Sequence, residues 1–256
     1  MRTRNDSIDD TTLKAMIEQL PSVENLQKTV LQLSPDLISI KLSPGNRIPE
    51  AAVCLQDAIN VIAEAHYALR KALGNRIEYT KQVDQRDQIA ALYFTRFYAD
   101  DVALRLYAAG EHLAAAIVDM LEINQENLTR YKKTVSRQAI VGKYLATEKP
   151  NHPITVAVLS LAKSPEWEQA IKYRGDWVHN QPPLVKGLGI VYKRGQRWKL
   201  SETGNEYTLG FGGGDPPEVS VDDLLKSFHK ALVEFITTSN AIVQFYVELL
   251  EKRGFN

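Results

Sequence analysis

From residue 225 to residue 249 the chain sets Leu225, Phe228, Leu232, Phe235, Ser239, Ile242, Tyr246 and Leu249 in one unbroken alternation of three and four. That spacing is the period of an α-helix buried along one side, and it lasts for about seven turns. A stripe this long needs partners of similar length to cover it. The chain must therefore supply other long helices, and a helical bundle is the architecture that satisfies the demand. Ser220 stands where such a helix needs an N-cap.

The partners are legible upstream. A long helix begins at Pro49, a favoured first-turn position, and runs through "AAVCLQDAINVIAEAHYALRKAL", with Leu55, Ala58, Ile62, Ala65, Leu69 and Leu73 as its stripe and Gly74 as its C-terminal stop. Residues 86–122 are apolar nearly all round, which predicts a helix at the centre of the bundle. Further helices are expected over 125–147 and 153–179. Residues 7–33 read as two short amphipathic helices split near Pro21, followed by the extended connector "LSPDLISIKLSPGNRIPE". After Pro182 and Pro183 the period falls to two: "GIVYKRGQRWKLS" and "NEYTLGF" predict short strands, the first pair turning at Gly195. The expected fold is all-α. Residues 1–47 form a helical arm and connector, and residues 48–256 form a helical bundle with a small β-hairpin insert at about 184–219, before the last helix.

Charge and composition exclude several functions. The 256 residues include 31 basic and 31 acidic side chains, so no global field draws the protein to nucleic acid or to a membrane, and such binding needs a local patch. The single cysteine, Cys54, lies among Ala51, Val53 and Leu55; it rules out an internal disulfide framework and reads as a small buried thiol. The opening "MRTRNDSIDD" has no apolar core of a secretion signal, and the longest apolar run, "LAAAIVDML", is too short to span a bilayer and carries Asp119. A cytoplasmic protein without membrane contact is expected. His152 and His229 have no partners at metal-ligand spacing, so neither a metal nor another cofactor is expected.

One stretch does not fit a simple core. In "SPEWEQAIKYRGDWVHNQPP", Trp167, Ile171 and Val178 recur at helical spacing, and Arg174 falls on the same stripe. A guanidinium cannot escape burial by losing its proton, so it needs acceptors. The central helix offers a polar strip for that purpose: Asp101, Arg105, Ala108, His112, Ala115 and Asp119 line up in steps of four and three, with Asp101 the first choice of partner. His179 follows Arg174 with four residues between them. On a regular helix the two would sit about 140° apart, and the proline after Gln181 predicts a distorted last turn at His179 and Asn180.

"RGDWVH", an Arg and a His with four residues between them near the end of a helix in an all-helical bundle, resembles the signature motif of the HEPN superfamily. The likeness extends to architecture over roughly residues 48–252. It implies a homodimer that brings two motifs into one cleft, and a metal-independent ribonuclease in which Arg174 holds the scissile phosphate and His179 acts as general acid or base. Gly175 stands where that family usually carries a polar residue after the Arg. Asp176, one place later, and Asn180 beside the histidine are candidate supporting groups, with Asp101, Arg105 and His112 across the helix interface. Directly downstream, Lys193, Arg194, Arg197, Trp198 and Lys199 form a basic segment with no acid in it, the composition of a surface for single-stranded RNA. By the same resemblance a cognate antitoxin or regulatory protein is a candidate partner. A non-catalytic module that binds RNA or protein, and a plain helical scaffold, are the competing readings.

Overall fold

The computed structural model describes residues 8–36, 38, 46–131, 136–179, 185–187, 190–192, 197–200, 207–210 and 219–255. The described chain is overwhelmingly helical: α1 (Asp10–Glu18), α2 (Glu24–Leu31), α3 (Ile48–Lys81), α4 (Gln85–Met120), α5 (Gln125–Thr129), α6 (Arg137–Glu148), α7 (Pro153–Ala162), α8 (Pro165–His179) and α9 (Val221–Lys252). Between α8 and α9 lie the strands β1 (Val185–Gly187), β2 (Ile190–Tyr192), β3 (Arg197–Leu200), β4 (Tyr207–Gly210) and β5 (Val219–Ser220). No described helix is long and apolar enough to cross a membrane.

The frame is the antiparallel pair α3 and α4, of 34 and 36 residues, each about 50 Å long at 1.5 Å per residue. Asp84 starts α4 by accepting the Arg86 N–H on its side chain at 2.6 Å. The seam of α9 is buried as its spacing requires: Leu225, Phe228, Leu232, Ile242 and Tyr246 have no exposed surface. Ser239 tolerates its place in that seam because its hydroxyl donates to the Phe235 carbonyl at 2.8 Å, and the Tyr246 hydroxyl donates to the Ile48 carbonyl at 2.6 Å. Helix α9 packs against α3, α4, α7 and α8, and α6 lies between α4 and α7. At its start, Ser220 and Asp223 form a reciprocal capping box.

Three expectations change. Gly74 does not stop α3, which continues to Lys81. The extra turns are held by burial on both sides of the glycine, at Leu73, Arg76 and Ile77. Arg76 and Asp222 form an ion pair in which each side chain is only 1% exposed. The pair also binds the backbone of Ile8, whose N–H donates to Asp222 at 2.9 Å and whose carbonyl accepts from Arg76 at 3.3 Å. The N-terminal arm is thus built into the core, with α1 and α2 packed on α3 and Leu13 fully buried.

The connector after α2 is not extended where it is described. Pro35, Asp36 and Ile38 are helical, the Ile38 N–H donates to the Ser34 carbonyl at 3.1 Å, and Ile38 is buried.

The insert is not one hairpin. β2 pairs antiparallel with β1, β1 pairs parallel with β5, and β3 pairs antiparallel with β4, giving sheets ordered β2-β1-β5 and β3-β4. Only two residues separate β1 from β2, so that pairing closes the shorter loop. Val185 is fully buried, which anchors β1 beside the start of α9. Gly195, the expected turn, lies outside the described residues.

Candidate functional site

Helix α8 carries the Arg-His motif. Its first turn is fixed by the Ser164 hydroxyl, which accepts the Trp167 N–H at 3.2 Å. Trp167 then stacks flat on Phe235 of α9, with centroids 4.9 Å apart and planes 2° apart. The apolar stripe leaves the core as the helix rises: Trp167 is 7% exposed and Val178 43%. Arg174 sits at that boundary, half-buried, and its guanidinium lies 3.8 Å from the centroid of the Tyr107 ring on α4. The position on the stripe is therefore met by an aromatic face, a favourable setting for a weakly hydrated planar cation. Burial raises the Tyr107 phenol above its ordinary range, with the Glu111 carboxylate adding to the effect and Arg174 opposing it.

The residue before Arg174 fixes the helix. Tyr173 is 5% exposed and its hydroxyl donates to Asp100 at 2.6 Å. Asp100 also pairs with Arg96 one turn earlier on α4, at 3.1 Å, and the Arg96 guanidinium lies 5.1 Å from the Tyr173 centroid. Burial pushes the Tyr173 hydroxyl well above its ordinary pKa, so it stays a donor at all physiological pH values. Arg96, Asp100 and Tyr107 form the face of α4 that meets α8. Sequence reading missed all three, although their spacing of four and seven residues was the available signal.

The predicted polar strip lies elsewhere. Asp101 accepts from Arg105 at 2.8 Å, Arg105 also pairs with Glu64 of α3, and His112 Nδ1 is 4.0 Å from Asp57 of α3. These groups run along the outer α3–α4 seam, about 120–160° around α4 from Tyr107. Asp101, Arg105 and His112 are thus not what α8 presents Arg174 to. The Asp101 carboxyl is raised by burial.

On α8 itself, Asp176 pairs with Lys172 at 2.8 Å, and a Cβ at Gly175 would meet nothing within 4 Å. The helix runs as far as His179, and the rest of the turn in which a distortion was expected lies outside the described residues. Arg197, Trp198 and Lys199 lie in β3, paired with Gly210, Leu209 and Thr208. Asn180, Lys193 and Arg194 lie outside the described residues.

No family model, no curated protein and no solved structure matches this chain.

Proposed function

We propose that the protein is a HEPN-like RNA-acting module that works as a homodimer, with Arg174 and His179 as the reacting groups of a metal-independent endoribonuclease. The observation that carries this reading is the placement of Arg174. It is a permanent cation held against Tyr107 at the edge of the core, on the helix that ends at His179. A stacked guanidinium keeps its N–H donors in its own plane, which is the geometry that recognises phosphate.

The chemistry asks for little more. The ribose 2′-hydroxyl attacks the adjacent phosphorus, the bond to the 5′-oxygen breaks, and a 2′,3′-cyclic phosphate and a 5′-hydroxyl remain. One imidazole takes the 2′ proton or supplies the leaving oxygen with one, while the cation stabilises the charge that builds on the phosphorane. Positions five apart on a regular helix face about 140° apart, so the Arg of one copy would work with the His of another.

The test incubates wild type and His179→Ala with a mixed single-stranded RNA pool in EDTA. The variant should cleave about a hundredfold more slowly or worse, with RNA affinity little changed. Arg174→Ala should weaken both binding and turnover. Retained RNA binding without cleavage by wild type supports a binding module instead, a reading favoured by Gly175 beside the arginine. Equal cleavage rates for wild type and His179→Ala overturn the assignment of His179.

A further inference from the structure

The space enclosed by α4, α6, α7, α8 and α9 is not filled. A cavity of about 640 Å³ lies there, within the span of roughly 300–1,000 Å³ that small-molecule sites occupy. It shares no residue with the Arg174 and His179 pair. Small side chains on α6 leave the room: Ala139, Gly142 and Ala146 recur at intervals of three and four and all line the cavity. A Cβ at Gly142 would meet nothing within 4 Å.

The deep wall is apolar except at two points. Among the lining residues that are less than one-tenth exposed, Trp167 at 7% and Thr238 at 6% are those with polar side-chain atoms. They are neighbours through Phe235, on which Trp167 stacks and which precedes Thr238 by three residues on the same side of α9. Thr237 and Ser239 turn their hydroxyls back to the carbonyls of Val233 and Phe235, at 2.9 and 2.8 Å. Thr238 does not: neither its hydroxyl nor the Trp167 indole N–H has a hydrogen-bond partner among the described residues. Neither atom is sealed in, as Gln138 Nε2 is, and for residues this buried the open side is the cavity they line. Buried indole N–H and hydroxyl groups ordinarily meet an acceptor.

The charged groups of the lining belong to its rim. Lys143 and Glu168 are exposed, and Lys172 is exposed and pairs with Asp176. A charged ligand would shed its water inside without meeting a counter-charge, so the interior suits an uncharged one.

We propose that this cavity binds an uncharged, largely apolar molecule with one carbonyl group, such as a ketone, ester or lactone. The carbonyl oxygen is the acceptor for the Trp167 N–H and the Thr238 hydroxyl, and the apolar remainder lies against Leu113, Ile117, Val158 and Leu159. The two neutral donors set the orientation, and the apolar wall supplies the affinity.

Acetophenone, ethylbenzene and benzoate are the probes. Ethylbenzene replaces the carbonyl by a methylene, and benzoate replaces the methyl group by a charged oxygen. Each is titrated into the full chain without RNA, so the outcome is independent of any nuclease activity. Acetophenone is expected to bind saturably at one site, more tightly than ethylbenzene and far more tightly than benzoate. Thr238→Val, which keeps the side-chain shape, should weaken acetophenone by about fivefold, the scale of one neutral hydrogen bond, and leave ethylbenzene unchanged. Gly142→Leu should fill the cavity and abolish binding of both. A measurement on wild type covers the case in which a variant fails to fold: of the indole N–H cross peaks of the three tryptophans, one should move as acetophenone is added, and it should be the peak absent in Trp167→Phe. The proposal is overturned by acetophenone that does not saturate at millimolar concentration, which would leave both donors to water, or by ethylbenzene or benzoate binding as tightly. Wild-type acetophenone affinity in a folded Thr238→Val or Gly142→Leu overturns it equally, as does an unmoved set of indole cross peaks.

Discussion

Arg96, Asp100 and Tyr173 decide how α8 is held, and their charges make the arrangement unforgiving. Arg96 and Asp100 are both nearly buried, with side chains 9% and 7% exposed, and Arg96 Nη1 has no hydrogen-bond partner. Removing the carboxylate strands a cation that cannot deprotonate. Asp100→Ala should therefore cost roughly 3–5 kcal/mol in urea unfolding. Tyr173→Phe, which removes one hydrogen bond to a charged acceptor, should cost about 1.5–3 kcal/mol. Replacing both charges together with the hydroxyl that bonds to them, Arg96→Met, Asp100→Leu and Tyr173→Phe, should cost less than Asp100→Ala alone. If Asp100→Ala proves as mild as a surface change, the pair does not fix α8. Arg174 meets α4 through an aromatic ring, its guanidinium lying 3.8 Å from the Tyr107 centroid.

At the scale of elements, α3 shows how tertiary contacts override a local signal. Glycine weakens a helix interior by exposing backbone and by its greater freedom in the unfolded chain, so Gly74 reads as a stop in sequence. The helix continues because the turn beyond it carries Arg76 and Ile77 into the core, where Arg76 meets Asp222 from α9 and Ile8 from the N-terminal arm. A Cβ at position 74 would meet nothing within 4 Å, and only Gly254 among the described glycines has positive φ. Gly74→Ala should stabilise the protein by about 0.5–1 kcal/mol, read as a rise in the urea midpoint at unchanged m-value. A destabilising Gly74→Ala would mean that α3 bends at this position in solution.

For the whole molecule, the first half of α4 leaves a conspicuous surface. Ile89, Tyr93, Phe94 and Phe97 are each between 45% and 52% exposed, and the first, second and fourth recur at intervals of four, on one side of the helix. Phe97 adjoins Arg96, whose guanidinium lies over Tyr173, so this face begins beside the helix that carries the motif. Contiguous exposed aromatics mark interaction surfaces, and a second copy placed there would bring two α8 ends together across a two-fold axis. Under the proposed function, light scattering should give a dimer mass at micromolar concentration. Phe97→Asp should give a monomer and lose RNA cleavage with its fold intact by circular dichroism. A wild-type monomer at that concentration removes the shared site.

The long helices were legible in the sequence because burial of one face imposes a period that residue types report directly. The α9 seam and the α3 stripe are buried as their spacing predicts. Arg174 could likewise be singled out, since a charge on an apolar stripe violates that period. What the sequence could not decide is which side of α4 would face α8. Two candidate faces, Asp101 with Arg105 and Arg96 with Asp100, carry the same charge pairing at the same four-residue spacing, and a helix that is apolar nearly all round gives no period to choose between them. Packing against α3 took the first face, through Glu64 and Asp57, and left the second for Tyr173. The strand pairing of the insert was open for a similar reason, because short alternating segments fit several partners, and burial of Val185 beside α9 chose β1. Local spacing determined the elements, and only their mutual packing decided which charged groups share an interior.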